Sequence, residues 1–229
     1  MSERIVIFRL PFRGPTDEFN GLRKNQRYEV SWVRPQDFDG RARVIILPGS
    51  GRTIDDLVYL RQNGGFEAIR RHLSQGGVVV GVCGGYQILG RKLHDPLHVQ
   101  GDCDDVEGLG LFPIETVFGP QMASTRTTAR LLVGTGCGGA VVGEERRSGC
   151  SSLTTDGLPG FLQLLEVTER KFHKPCPQAC VLTAACLPWA PATEKYDGLV
   201  SVDRKVWGSY LHLIFDNDAF LRSFFAAIA

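Results

Sequence analysis

Two short apolar runs, each stopped by glycines, constrain this chain of 229 residues more than any other feature. Val44-Ile45-Ile46-Leu47 ends at Pro48-Gly49-Ser50-Gly51, and Val78-Val79-Val80-Gly81-Val82 ends at Cys83-Gly84-Gly85. A strand without polar alternation must be covered on both faces, as in the middle of a parallel sheet. Between the two runs, Thr53 with Asp55 and Asp56 predicts a capped helix start, where the helix dipole favours acids. Phe66, Ile69, Arg70 and Leu73 then recur at helical spacing before Gly76-Gly77. Ile5 to Phe8 and Tyr28 to Val33 read as further strands, separated by a polar stretch, Thr16 to Lys24, that can form a helix. Strand and helix thus alternate as far as Leu93. The pattern predicts an α/β fold, a doubly wound, mostly parallel sheet flanked by helices, with ligands beyond the carboxyl ends of the strands.

Past Phe118 the periodicity fades. Residues 134–143 are rich in glycine, and residues 171–192 crowd prolines and cysteines. The pattern returns at Tyr196, with a strand expected over Val206 to Leu211 and an apolar-faced terminal helix over Asp216 to Ile228. One domain is expected over 1–229, in which 147–191 is atypical, disordered or decayed in sequence. The charge balance, 26 basic against 25 acidic side chains, offers no surface for a polyanion, so nucleic acid is not an expected partner. No run approaches the roughly 18 apolar residues of a membrane helix, and the first residues lack a signal-peptide core. A cytoplasmic protein without a membrane partner is expected. Seven cysteines, an odd number, then indicate reduced thiols rather than a disulfide framework.

An isolated cysteine after a parallel strand is ordinarily a small buried hydrophobe. Cys83 differs because glycines at 81, 84 and 85 surround it. They permit a tight strand-to-helix turn that exposes a nucleophile, and the following helix aims backbone N–H groups at the sulfur. Such surroundings favour thiolate. The candidate base is His212, just after a predicted strand, because an imidazole is the usual partner of a catalytic thiol. His72 is placed mid-helix on a polar face, His94 and His98 flank a proline-containing loop, and His173 falls in the atypical stretch. Attack on a carboxamide also creates an oxyanion, which needs backbone donors. The Gly49-Ser50 loop can supply one and the Gly84 N–H another.

The segment Gly81-Val82-Cys83-Gly84-Gly85-Tyr86-Gln87 resembles the Gly-x-Cys-x-Gly-x-Gln nucleophile motif of class I glutamine amidotransferases. Within that class the chain is most similar to the carboxyl-terminal domains of the cobyric acid synthase family. The likeness rests on Arg9-Leu10-Pro11, Ile46 to Ser50, Thr53 to Leu57, Cys83 to Gly90, Asp95-Pro96, Gly108 to Leu111, Trp207 to His212 and Phe215 to Asn217. The resemblance implies hydrolysis of glutamine through a glutamyl thioester on Cys83, with His212 as base. It places Gln87 near the bound glutamine and Gly49, Ser50 and Gly84 in the oxyanion and glutamine-binding region.

Many class I enzymes carry a glutamate two residues after the histidine. Position 214 here is Ile214, as in the cobyric acid branch, so another group must orient His212. No Gly-x-x-x-x-Gly-Lys-Ser/Thr loop occurs in the chain. No cofactor is therefore expected here, and the resemblance implies that ATP and magnesium bind to a partner synthetase domain or subunit that also holds a corrinoid acceptor. The family's Gly-Tyr-Glu-Ile-His strand has no obvious counterpart near Gly149-Cys150-Ser151. Three other readings stand beside this one. They are a stand-alone amidotransferase subunit for another ligase, such as one acting on cell-wall precursors, a degenerate non-catalytic binding subunit, and a zinc site from His173, Cys176, Cys180 and Cys186. The last is disfavoured because the spacing matches no paired zinc-ligand arrangement, and no metal is expected.

Overall fold

The computed structural model describes residues 3–154, 160–172 and 195–229. The two apolar runs form adjacent parallel strands, β3 (Val44–Leu47) and β4 (Val78–Val82), with Val44 opposite Val78 and Leu47 opposite Gly81. Every residue of both is buried. β1 (Glu3–Phe8) lies parallel to β3 and, on its other side, to β2 (Tyr28–Val33). β11 (Val206–Ser209) runs parallel to β4 on the opposite flank. Side chains leave these strands in two directions and build two cores. Val6, Phe8, Ile45, Leu47 and Val79 pack with α1 (Thr53–Gln62), α2 (Gly65–Ser74) and α3 (Gly84–Ile88). Ile5, Ile7, Val44, Ile46, Val78 and Val80 pack with Phe220 and Phe224 of α4 (Asp218–Ile228). This half is the doubly wound arrangement that the sequence predicts.

Beyond β11 the sheet turns antiparallel through β10 (Tyr196–Ser201), β9 (Phe161–Phe172), β7 (Ile114–Leu131), β8 (Ala140–Leu153) and β12 (Leu211–His212), in that order. β5 (Lys92–His94) and β6 (Asp105–Glu107) attach beside the start of β7. The sheet is therefore mixed. The region of fading periodicity contains its longest strands, and β8 shows why the pattern is hidden. Its inward positions are Val141, Gly143, Glu145, Arg147 and Gly149, so burial alternates with period two while hydrophobicity does not. Gly143 to Gly149 lies in β8, between β12 and β7 in the sheet. Within the segment 147–191, expected to be atypical, disordered or decayed, residues 147–153 and 161–172 are paired strands. The remainder of that segment, including His173, Cys176, Cys180 and Cys186, falls almost wholly outside the described residues.

Several local expectations change. The strand expected over Val206 to Leu211 breaks at Tyr210, where the chain leaves β4 for β8. The terminal helix starts at Asp218, after a 3₁₀ turn at Ile214–Asp216. The polar stretch after β1 is a 3₁₀ helix, Asp17–Lys24. His72 is not on a polar face. It is buried at 3% exposure under the Gly76-Gly77 turn, its Nε2 bonds the Val78 carbonyl at 3.1 Å, and burial pushes its pKa down.

Candidate active site

Cys83 joins β4 to α3 with φ 51° and ψ −110°. A positive φ on a residue with a Cβ costs about 1 to 3 kcal/mol and persists only where surrounding contacts enforce it. Here the Cys83 N–H donates to Ser209 O at 2.8 Å, and its carbonyl accepts from Gln87 N–H at 3.1 Å. Below the turn, a Cβ on Gly85 would stand 2.1 Å from the Leu47 carbonyl oxygen, so α3 sits closer to β3 than any other residue would allow. The first N–H groups of α3, at Gly84 and Gly85, have no acceptor within the helix by their position. The thiol itself is nearly buried and donates to the Arg146 carbonyl of β8 at 3.2 Å.

His212 reaches this turn from β12, opposite Glu144 of β8. A Cβ on Gly49 would lie 2.8 Å from His212 Cε1 and 3.6 Å from both His212 Nε2 and Cys83 Cβ. The three residues therefore converge, and a glycine at 49 is what leaves room for the ring. On its other side, His212 Nδ1–H donates to Glu18 Oε2 at 2.6 Å. Burial alone would lower the imidazole pKa, but the Cys83 sulfur, by charge and hydrogen bonding, and then Glu18 raise it to about 10. The segment entering His212 is braced by Asp197, which accepts from Ser209 Oγ at 2.5 Å and from Tyr210 N–H at 3.1 Å. Burial, reinforced by the charge of Glu145, pushes the Asp197 carboxyl up to about 6.

The Pro48-Gly49-Ser50-Gly51 loop is pinned by the chain that follows β1. Gly14 N–H donates to Gly49 O and Gly51 N–H to Phe12 O, both at 2.8 Å. The Ser50 hydroxyl donates to Asp56 Oδ2 at 2.6 Å and so faces α1, while its backbone nitrogen would be 2.9 Å from a Cβ on Gly84. Gln87 is buried beneath the turn, with its Oε1 accepting from Thr53 Oγ1 at 3.3 Å and its Nε2 donating to Tyr210 OH at 3.2 Å. Thr53 is not the cap of α1 that the sequence suggests. Its own N–H is satisfied by the Gln100 side chain at 3.0 Å.

Of the residues selected from sequence, Cys83, His212, Gly49, Gly84 and the Ser50 backbone thus come together, whereas the Ser50 hydroxyl and the Gln87 amide are committed elsewhere. Sequence reasoning missed Glu18, the Arg146 carbonyl and Asp197. Glu18 lies 194 positions from His212, so no local spacing links them. Among the described residues no group of three or more potential ligands could hold a metal ion, and no helix is long and apolar enough to cross a membrane.

The fold is one already seen in solved structures. The chain superposes on the structure of PurLQS from Thermotoga maritima with a TM-score of 0.68 over all of both chains at 15% identity, a likeness of fold alone. Its curated relatives include the cobyric acid synthases of Chloroflexus aggregans, 36% identical over 217 residues, and Roseiflexus castenholzii, 33% identical over 218. These matches take in 94% and 95% of this chain and 39% of each relative, so the chain spans about two fifths of their length. The family profile of CobB/CobQ-like glutamine amidotransferase domains matches residues 4–220, from β1 into α4 and including Cys83 and His212. A cysteine held at positive φ between strand and helix, an imidazole wedged against Gly49 beside it, and a match along nearly the whole sequence lead to one assignment: the chain belongs to the CobB/CobQ-like glutamine amidotransferase domain family.

Proposed function

We propose that Cys83 is the nucleophile and His212 the proton carrier for hydrolysis of glutamine, and that the ammonia released serves an ATP-dependent synthetase domain or subunit acting on a corrinoid carboxylate. The convergence of Cys83, His212 and Gly49 on a strained turn carries this reading. Proton transfer from the thiol to His212 gives a thiolate, which attacks the side-chain amide carbon of glutamine. The backbone donors at Gly84 and in the Gly49-Ser50 loop face the oxyanion that develops. His212 returns its proton to the leaving nitrogen, and ammonia departs from a glutamyl thioester. A water molecule, deprotonated by His212, attacks the thioester to release glutamate and restore the thiol.

ATP and magnesium, bound by the partner, would activate the acceptor carboxylate. The corrinoid assignment follows the cobyric acid synthases, in which the matched region is two fifths of the chain, and a cytoplasmic location suits a reduced cysteine nucleophile. A diazoketone analogue of glutamine should label Cys83, and Cys83→Ala should abolish glutaminase activity. Peptide mapping that placed the adduct on another residue would remove the assignment. With a synthetase partner, ATP, magnesium, a corrinoid carboxylate and amide-labelled glutamine, the label should enter a corrinoid amide. Labelled ammonia released without transfer to the corrinoid would overturn the acceptor but not the glutaminase.

A further inference from the structure

We propose that Glu18 is the positioning carboxylate of the Cys83–His212 pair, supplied from the 3₁₀ helix after β1 in place of one at position 214. The inference rests on the glutaminase reading above. Position 214 cannot serve, because Ile214 is buried in the aromatic core around Phe215 and Phe220. Glu18 instead approaches from the opposite end of the sequence and meets Nδ1 at 2.6 Å. An ionised carboxylate only accepts hydrogen bonds, so the contact fixes the proton on Nδ1 and leaves Nε2 to the sulfur.

The surroundings hold this carboxylate in place. Glu18 is 4% exposed, and its second oxygen, Oε1, is buried without a hydrogen-bond partner. An unpaired buried carboxylate oxygen costs stability, so packing alone gives no reason for an acid at this position. Its neighbour Phe19 is wedged between Trp32 and Phe215, with ring centroids 5.6 and 5.8 Å away. Three residues on from Glu18, Gly21 lies so near the chain after His212 that a Cβ would stand 1.7 Å from the Phe215 carbonyl oxygen. The helix bearing Glu18 is thus seated directly on the segment that follows the imidazole. The other charged groups near His212 are differently engaged. Glu144, opposite it on β8, is paired with Arg146, and Asp216 faces Gly21 from the 3₁₀ turn. A negative charge on the far side of the ring stabilises imidazolium, and so the thiolate that forms with it.

The test uses Glu18→Gln and Glu18→Asp in the 229-residue chain. Two readouts are taken together, kcat and KM for glutamine hydrolysis and the pH dependence of Cys83 alkylation by iodoacetamide, followed by peptide mapping. Glu18→Gln keeps an acceptor but removes the charge. It should lower kcat about 10²-fold by removing the counter-charge of the imidazolium, with KM little changed. It should also move the onset of Cys83 alkylation up by about one pH unit. Glu18→Asp should recover part of both effects. A wild-type kcat and alkylation profile in Glu18→Gln would overturn the role of Glu18 while leaving the glutaminase reading intact. Retention of activity by Cys83→Ala would instead remove the reading beneath it.

Discussion

At Gly49 the absence of a single methyl group leaves room for an imidazole. Gly49→Ala would place carbon 2.8 Å from His212 Cε1, within the ring's own van der Waals envelope. Displacing a proton carrier by about 1 Å is enough to cost about 10²-fold in rate. The expected result is a large fall in kcat with an unchanged melting temperature, read from steady-state kinetics and calorimetry. The charge state of His212 yields a second prediction. Its folded pKa of about 10 lies above the ordinary 6.5, so the stability gained from protonating it is fully present below about pH 6.5 and is lost as pH rises through about 10. Cys83 is the largest cause raising that value. In Cys83→Ala the upper edge of the window should therefore fall, visible in melting curves across alkaline pH and in the imidazole NMR titration. Cys83 could be read from the glycines around it, and His212 from its place after a strand. Glu18 could not, because its role depends on a contact that only the folded chain creates.

Among the elements, β3 and β4 were legible because burial on both faces writes itself as an uninterrupted apolar run. β7 and β8 were not, because their inward positions include Thr125, Thr127, Glu145 and Arg147. These side chains contact one another and Arg170. Glu145 Oε1 accepts from Thr127 Oγ1 at 2.8 Å and from Arg170 Nε at 2.9 Å, and Arg147 Nη2 lies 3.6 Å from Glu145 Oε2. The polar cluster lies beside the apolar residues of this half, such as Leu131, Val141 and Leu165, and its Glu145 and Arg147 flank Arg146 on β8. Glu145→Ala removes the carboxylate shared by two buried guanidinium groups, which should destabilise the protein by about 3 to 5 kcal/mol. Urea denaturation measures this directly, and a change near zero would mean that the cluster does not support the hairpin.

Over the whole molecule, one sheet joins a parallel half to an antiparallel half, and the site lies where the two meet. Gly49 and Cys83 come from the parallel half, the Arg146 carbonyl from the antiparallel half, and His212 from the crossing between them. Hydrogen exchange should be slow in Val78–Val82 and comparably slow over 125–130 and 141–147, where β7 and β8 are paired. Fast exchange over the latter two would mean that the β7–β8 pairing does not hold in solution. The site residues are also widely spread in the order in which a ribosome makes them. Glu18, Gly49 and Cys83 emerge first, Arg146 later, and His212 last. Until His212 is made and β12 has paired with β8, Cys83 lacks its imidazole neighbour. A growing chain therefore keeps Cys83 apart from the imidazole until synthesis has almost reached its end.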